Sequence, residues 1–158
     1  MKKYEFTGEV KYIGGKILHR IRALIDIPEH DVKAGDLGGW IEAERNLSQK
    51  GDAWVTGSAC VTDSAWVTGE ARVTGNAWVT GNARVMESSD CITIGAIGSR
   101  DDTTTFYRGE DGGIYVSCGC FNSSIDDFAA KVKQVHAGTK HEKTYLLAIE
   151  LAKAQMET

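Results

Sequence analysis

Between Gly51 and Met86 the hydrophobic pattern of the chain recurs every six residues: GDAWVT, GSACVT, DSAWVT, GEARVT, GNAWVT and GNARVM. Val55, Val61, Val67, Val73, Val79 and Val85 mark the period, and Ala53, Ala59, Ala65, Ala71, Ala77 and Ala83 stand two residues before them. Side chains two apart share one face of a strand, so Val and Ala are expected to point inward together. Glycine opens five of the six hexads, where a tight corner favours a residue without Cβ. Asp63 opens the remaining one, and Asp tolerates the left-handed region better than most residues. A helix of 3.6 residues per turn does not produce this period, and the Val-Thr pairs favour strands.

The repeat resembles the hexapeptide pattern of left-handed parallel β-helices, in which three hexads make one triangular coil. That resemblance implies two coils, left-handed, with residues eighteen apart stacked about 4.8 Å from each other. Upstream, Ile41 and Leu47 keep the six-residue spacing, and the longer step to Val55 predicts an irregular first coil with a two-residue insertion. The residues just before each Val are then expected to face outward: Trp54, Cys60, Trp66, Arg72, Trp78 and Arg84. Stacking by eighteen sets Trp54 against Arg72, Cys60 against Trp78, and Trp66 against Arg84. The Trp–Arg pairs suit cation–π contact, worth about 0.5–1 kcal/mol when exposed. They either knit neighbouring coils together or anchor a partner, since Trp and Arg are enriched at binding hot spots.

The flanks carry other periods. KYEFTGEV reads as a strand, Gly14-Gly15 as a hairpin turn, and KILHRIRALIDI as a returning strand with Ile17, Ile21, Ala23, Ile25 and Ile27 on one face. After the repeat, CITIGAIG, TTTFYRG and IYVSCGCF read as three strands. SIDDFAAKVKQVHAG follows as a helix with Ser124 and Asp127 as its start signal, an apolar stripe of Ile125, Phe128, Ala129, Val132 and Val135, and Gly138 as its stop. A second helix runs from about Lys140 to Gln155, presenting Tyr145, Ala148, Ile149, Ala152 and Met156. The expected fold is therefore mainly β: a short left-handed parallel β-helix at 41–89, a β-hairpin cap at 1–40, and a C-terminal α+β unit of three strands and two helices at 90–158.

ILHRIRALIDI, DVKAGDLGGWIEAERNLSQKGDAWV, the hexads, ITIGAIGSRDDTTTF, SCGCF and the His136-Ala137-Gly138 helix end together resemble a group of phage and prophage hexapeptide-repeat proteins. The group has no established activity. The resemblance thus implies a fold and a phage origin, with no catalytic residues to carry over. It makes a non-enzymatic binding protein the expected function, one that inhibits host defence by blocking a nuclease complex or sequestering a small signalling molecule. A structural or assembly role in the phage particle is the alternative, and a hexapeptide acyltransferase ranks third. Such an enzyme would need a histidine near the coil wall, and no histidine lies between positions 31 and 135.

Composition narrows the partners. The net charge is −4, and the acidity sits at the C-terminal end: residues 87–158 hold seven Lys/Arg against eleven Asp/Glu. Such a surface does not gather phosphate backbones by counterion release, so nucleic acid is disfavoured and a host protein or small signalling molecule is expected. Self-association is an open option. No apolar run reaches the roughly 20 residues a membrane span needs. The N-terminus lacks a signal peptide's apolar stretch, and four scattered cysteines point to a reducing cytoplasm. Two local clusters invite chemistry. Cys118 and Cys120 with His136 and His141 have residue types that suit zinc. A helix running straight back along the strand would carry His136 away from Cys120, however, so core cysteines and no bound metal or cofactor are expected. Arg100, after the glycine-rich strand IGAIG, is placed where an anion could be held.

Overall fold

The computed structural model describes residues 1–157. The N-terminal strands β1 (Tyr4–Ile13) and β2 (Lys16–Ala23) form an antiparallel hairpin, and β3 (Leu37–Ile41) lies antiparallel to β2. The hexads give six strands of two residues each: β4 (Trp54–Val55), β5 (Cys60–Val61), β6 (Trp66–Val67), β7 (Arg72–Val73), β8 (Trp78–Val79) and β9 (Arg84–Val85). A four-stranded antiparallel sheet follows, made of β10 (Cys91–Ile97), β11 (Asp102–Arg108), β12 (Ile114–Cys118) and β13 (Phe121–Ser124). It is covered by α1 (Ile125–Val135) and α2 (Lys140–Met156).

The expected left-handed parallel β-helix is not the fold observed. The chain is mainly β with two helices, but its strands fall into several separate small sheets, mixed and antiparallel, and none forms a solenoid. Parallel pairs between residues eighteen apart are present: β4 with β7, β5 with β8, and β6 with β9. The physical reason they go no further is length. Six hexads supply each strand position only twice, so β4 with β7 ends after one pairing, and β6 with β9 is a two-stranded sheet that gains only an isolated bridge from Leu47. The third, β5 with β8, grows by joining β3 and the N-terminal hairpin, giving the mixed order β1-β2-β3-β5-β8. The hairpin expected as a cap is therefore an extension of a sheet. The two-residue insertion is visible in register, because Ile41 pairs with Val61 and Leu47 bridges to Val67, twenty residues on. The C-terminal unit likewise has four strands where three were expected, since Gly119-Cys120 turns the chain and Phe121 returns antiparallel beside Cys118.

All six hexad Val and all six Ala are buried in one core with Tyr4, Ile21, Ile27, Ile41, Leu47 and Trp54. Burying each Val contributes about 1.5–3 kcal/mol. On the returning strand, Ile21, Ala23 and Ile27 join this core, while Ile17 and Ile25 stay exposed beyond it. Near Gly51 the array is closed by Lys3, whose Nζ donates to the carbonyls of Ala53 at 2.6 Å and Gly51 at 3.2 Å. Burial lowers the Lys3 pKa to about 8 against the opposing pull of Asp52. At the other side the C-terminal sheet seals the array: the Trp78 N–H donates to Thr105 Oγ1 at 3.0 Å, and the Glu110 N–H donates to the Asn82 carbonyl at 2.8 Å.

Asp63, in the corner slot that glycine fills elsewhere, has φ of 56° and ties the pieces together. Its carboxylate receives Lys16 Nζ from the hairpin and the Thr80 hydroxyl at 2.6 Å. Thr80 in turn accepts the Thr62 hydroxyl at 2.8 Å. The Asp63 N–H donates to Glu42 Oε2, and its carbonyl accepts from Arg45 and Asn46.

Candidate functional site

The outward hexad positions pair as expected, but they are not equally outward. Trp54 is only 1% exposed and belongs to the core, a correction to its reading as a surface anchor. The hairpin and β3 fold over this face. A Cβ on Gly38 would lie 2.8 Å from the Trp54 ring and 2.6 Å from Ile21, so the missing side chain at Gly38 is what admits the indole. Cys60 is buried and Trp78 half-buried under the same sheet and the Thr105 contact. Trp66 is 38% exposed, with the Arg84 guanidinium 5.3 Å from its ring centroid. Arg72 is exposed. Sequence reasoning passed over Trp40, which carries Lys11 at 4.5 Å and Arg20 at 5.7 Å over its ring. Trp40 precedes Ile41 as Trp54 precedes Val55, and that parallel was the available signal.

Arg84 leads from Trp66 to a cavity. Its Nη2 lies 3.5 Å from Glu110 Oε1, and Glu110 lines a space of about 530 Å³ between the hexad corner at Thr80–Ala83 and the C-terminal sheet. The floor is Tyr107 and Tyr115, stacked with centroids 6.3 Å apart. Alternation along β11 and β12 puts these tyrosines, Thr105 and Ser117 on the array side of the sheet, with Phe106 and Val116 on the helix side. The polar groups are already tied to one another. Tyr115 Oη donates to Asp111 Oδ2 at 2.6 Å, Tyr107 Oη to Asn122 Oδ1 at 3.0 Å, and Ser123 Oγ to Asp127 Oδ2 at 2.6 Å. The bond from Tyr115 holds the Asp111 carboxyl below its ordinary range. Glu110 and Asp111 give this lining a negative edge.

The cysteines and histidines lie on the other side of the sheet. Because β13 intervenes, α1 runs back toward the end of β12, and His136 lines the same hollow as Cys118 and Cys120. The expectation that His136 is carried away from them is corrected by that extra strand. Cys120 is exposed in the turn, which corrects its reading as a core residue. Cys118 is half-buried, accepting the Thr104 hydroxyl at 3.4 Å and donating to Tyr145 Oη at 3.8 Å. Burial, and then the Cys118 contact, raise the Tyr145 pKa to about 12, so its hydroxyl stays protonated at neutral pH. His136 and His141 meet edge to face with ring centroids 5.7 Å apart. Among the described residues, no group of three or more His, Cys, Asp or Glu is placed to hold a metal ion. Arg100 also lines this hollow, so the structure separates it from Trp66 and Arg84. No protein-family model matches the chain, and no curated protein matches it. Among the described residues, no helix is long and apolar enough to cross a membrane.

Proposed function

We propose that the chain works by binding a protein partner rather than by catalysis, and that the partner docks along the strip running from Trp66 through Arg84 to the cavity floored by Tyr107 and Tyr115. The observation that carries this reading is continuity. An exposed Trp is braced by Arg84, Arg84 reaches Glu110, and Glu110 lines the cavity. Trp, Tyr and Arg are the side chains enriched where interfaces gain most of their energy. The bonds among Tyr115, Asp111, Tyr107 and Asn122 fix the floor before a partner arrives, which limits the ordering cost of association. With Arg84 paired to Glu110, Asp111 leaves this edge one negative charge in excess, which favours a basic side chain entering from the partner. A host protein, the partner class that the phage-like hexads imply, fits this edge better than an anionic signalling nucleotide, whose phosphates that excess charge would repel. The Trp residues do not act together in this reading: Trp66 is the anchor, Trp54 is core, and Trp78 is half-buried.

Affinity capture with matched baits tests it. The full chain, Trp66→Ala and Arg72→Ala would each be exposed to the same host extract and the captured proteins quantified. A protein held by the first and third baits but depleted at least about tenfold by Trp66→Ala supports the strip, the loss expected when an interface anchor worth about 2 kcal/mol is truncated. Capture that is the same for all three baits rejects it.

A further inference from the structure

We infer that the hollow between the Ser99-Arg100 loop, the Cys118–Phe121 turn and the C-terminal half of α1 is a binding site for a small organic carboxylate with an apolar body. This goes beyond the docking strip and does not depend on it. The hollow measures about 230 Å³, which is room for a compact ligand. Its floor is apolar: Phe121, Phe128, Val132 and Tyr145, with Phe128 packed edge-on to Tyr145 at 5.4 Å.

The rim is cationic. Arg100 and Lys131 both line the hollow beside the His136 ring, and Asp102 is the one carboxylate present. Neither Arg100 nor Lys131 forms a salt bridge among the described residues, although Asp and Glu outnumber Lys and Arg in this part of the chain. Asp102 accepts the Thr103 N–H at Oδ1 at 2.7 Å and keeps its charge, so Arg100 and Lys131 stand against one carboxylate on this rim. Two unpaired cations over an aromatic floor, in an acidic surrounding, form an unspent site for an anion.

Two glycines hold the shape. A Cβ on Gly98 would lie 1.7 Å from the Tyr145 hydroxyl, and one on Gly119 would lie 3.1 Å from the Arg100 guanidinium. Gly98 thus lets Tyr145 seat beneath the loop, and Gly119 sets the turn backbone close to the Arg100 guanidinium. The Arg100 fork matches a carboxylate bidentately, and Lys131 adds a point charge. The apolar floor discriminates against inorganic phosphate, which has charge but nothing to place on Phe121 and Phe128.

Benzoate is the probe, with benzamide as its neutral counterpart and inorganic phosphate as the anion without an apolar body. Titration of the full chain, followed by amide NMR shifts, is expected to show saturable benzoate binding at about millimolar concentration, with the shifts centred on Arg100, Gly119 and His136. Benzamide and phosphate should each bind at least about tenfold more weakly, the factor for losing a charge-assisted hydrogen bond or the apolar contact. Arg100→Gln should weaken benzoate by about tenfold, while Arg72→Gln, a remote exposed cation, leaves it unchanged. The inference is overturned if benzoate does not saturate, if benzamide or phosphate binds as tightly, if the shifts centre elsewhere, or if folded Arg100→Gln binds benzoate like the parent.

Discussion

Trp54 and Trp66 occupy equivalent places in their hexads, yet replacing each by Ala should give very different results. Trp54 is 1% exposed, packed beneath Gly38 and beside Ile21. A buried Trp side chain removes about 150–250 Å² from water, which at about 25 cal/mol per Å² is roughly 4–6 kcal/mol. Core Trp-to-Ala changes cost about 3–5 kcal/mol, so the two routes agree. Proteins of this size lose about 2–4 °C of Tm per kcal/mol, so Trp54→Ala should melt about 6–20 °C lower. Trp66 is 38% exposed; its loss removes one cation–π contact worth about 0.5–1 kcal/mol and part of the apolar contact, for a total below about 2 kcal/mol. Urea unfolding followed by far-UV circular dichroism measures both without relying on the indoles as reporters. Equal losses for the two variants, or a Trp54→Ala loss below about 1.5 kcal/mol, would refute the assignment of one to the core and the other to the surface.

Three further outcomes follow from the buried polar groups. Asp63→Gly relaxes a positive φ but strands the buried Thr80 hydroxyl and removes the Lys16 pair, so urea unfolding should show a net loss of about 1–3 kcal/mol; a gain would mean that strain dominates. Hydrogen bonds from Lys16 and Thr80 hold the Asp63 pKa below its ordinary 3.8, so its contribution is complete above that value and declines as the pH falls through the lowered one. An Asp63→Asn variant should show a flatter acid limb in pH-dependent melting. Lys3 works in the opposite range. Its folded pKa of about 8 lies below its ordinary 10.5, the unfolded chain binds more protons between those values, and stability should therefore rise with pH across that window. Lys3→Met should remove that rise, measured as Tm against pH.

The eighteen-residue register and the burial of Val and Ala were legible because a six-residue period leaves few ways to share a core. Helix α1, its Ser124 cap and the buried face of α2 were legible from apolar positions spaced at the helical period, although Val135, expected on the α1 stripe, is exposed. The sheet organisation was not, because it depends on how many repeats there are to stack and on which flank joins them. Two hexad tiers are too few for a continuous wall, and β3, which pairs with the hairpin through Leu37, Trp40 and Ile41, lies close over Trp54 and Val55 only because Gly38 and Gly39 carry no side chain there. The burial of Trp54 is a consequence of that approach, so no hexad pattern could separate it from Trp66. Strand β13 gives little signal because Phe121–Ser124 is four residues with one apolar side chain, and without it α1 would carry His136 away from Cys120. Arg100 was singled out from its loop alone; its companion Lys131 sits on an exposed helix face that resembles any solvated one.

The alternation of β11 and β12 also decides how the two candidate sites relate. Tyr107 and Tyr115 face the hexad array, while Phe106, Val116 and Cys118 face the helices, so one sheet is the floor of the docking cavity on one side and supports the carboxylate hollow on the other. Phe106 and Tyr107 are adjacent in sequence but point apart, and each is locked by its own core: Tyr107 by Asn122 and Tyr115, Phe106 by Phe128. A ligand in the hollow would contact Arg100, Lys131 and side chains of the helix-side core, none of which touches the Trp66–Arg84 strip. Coupling between the sites would require the sheet itself to have two arrangements. Strands β11, β12 and β13, which carry Tyr107, Tyr115 and Asn122, are paired in continuous register, and the irregularity of the sheet lies in β10, between Ile94 and Ile97. The two surfaces lie on opposite faces of this sheet, and binding at one is expected to leave the other unchanged.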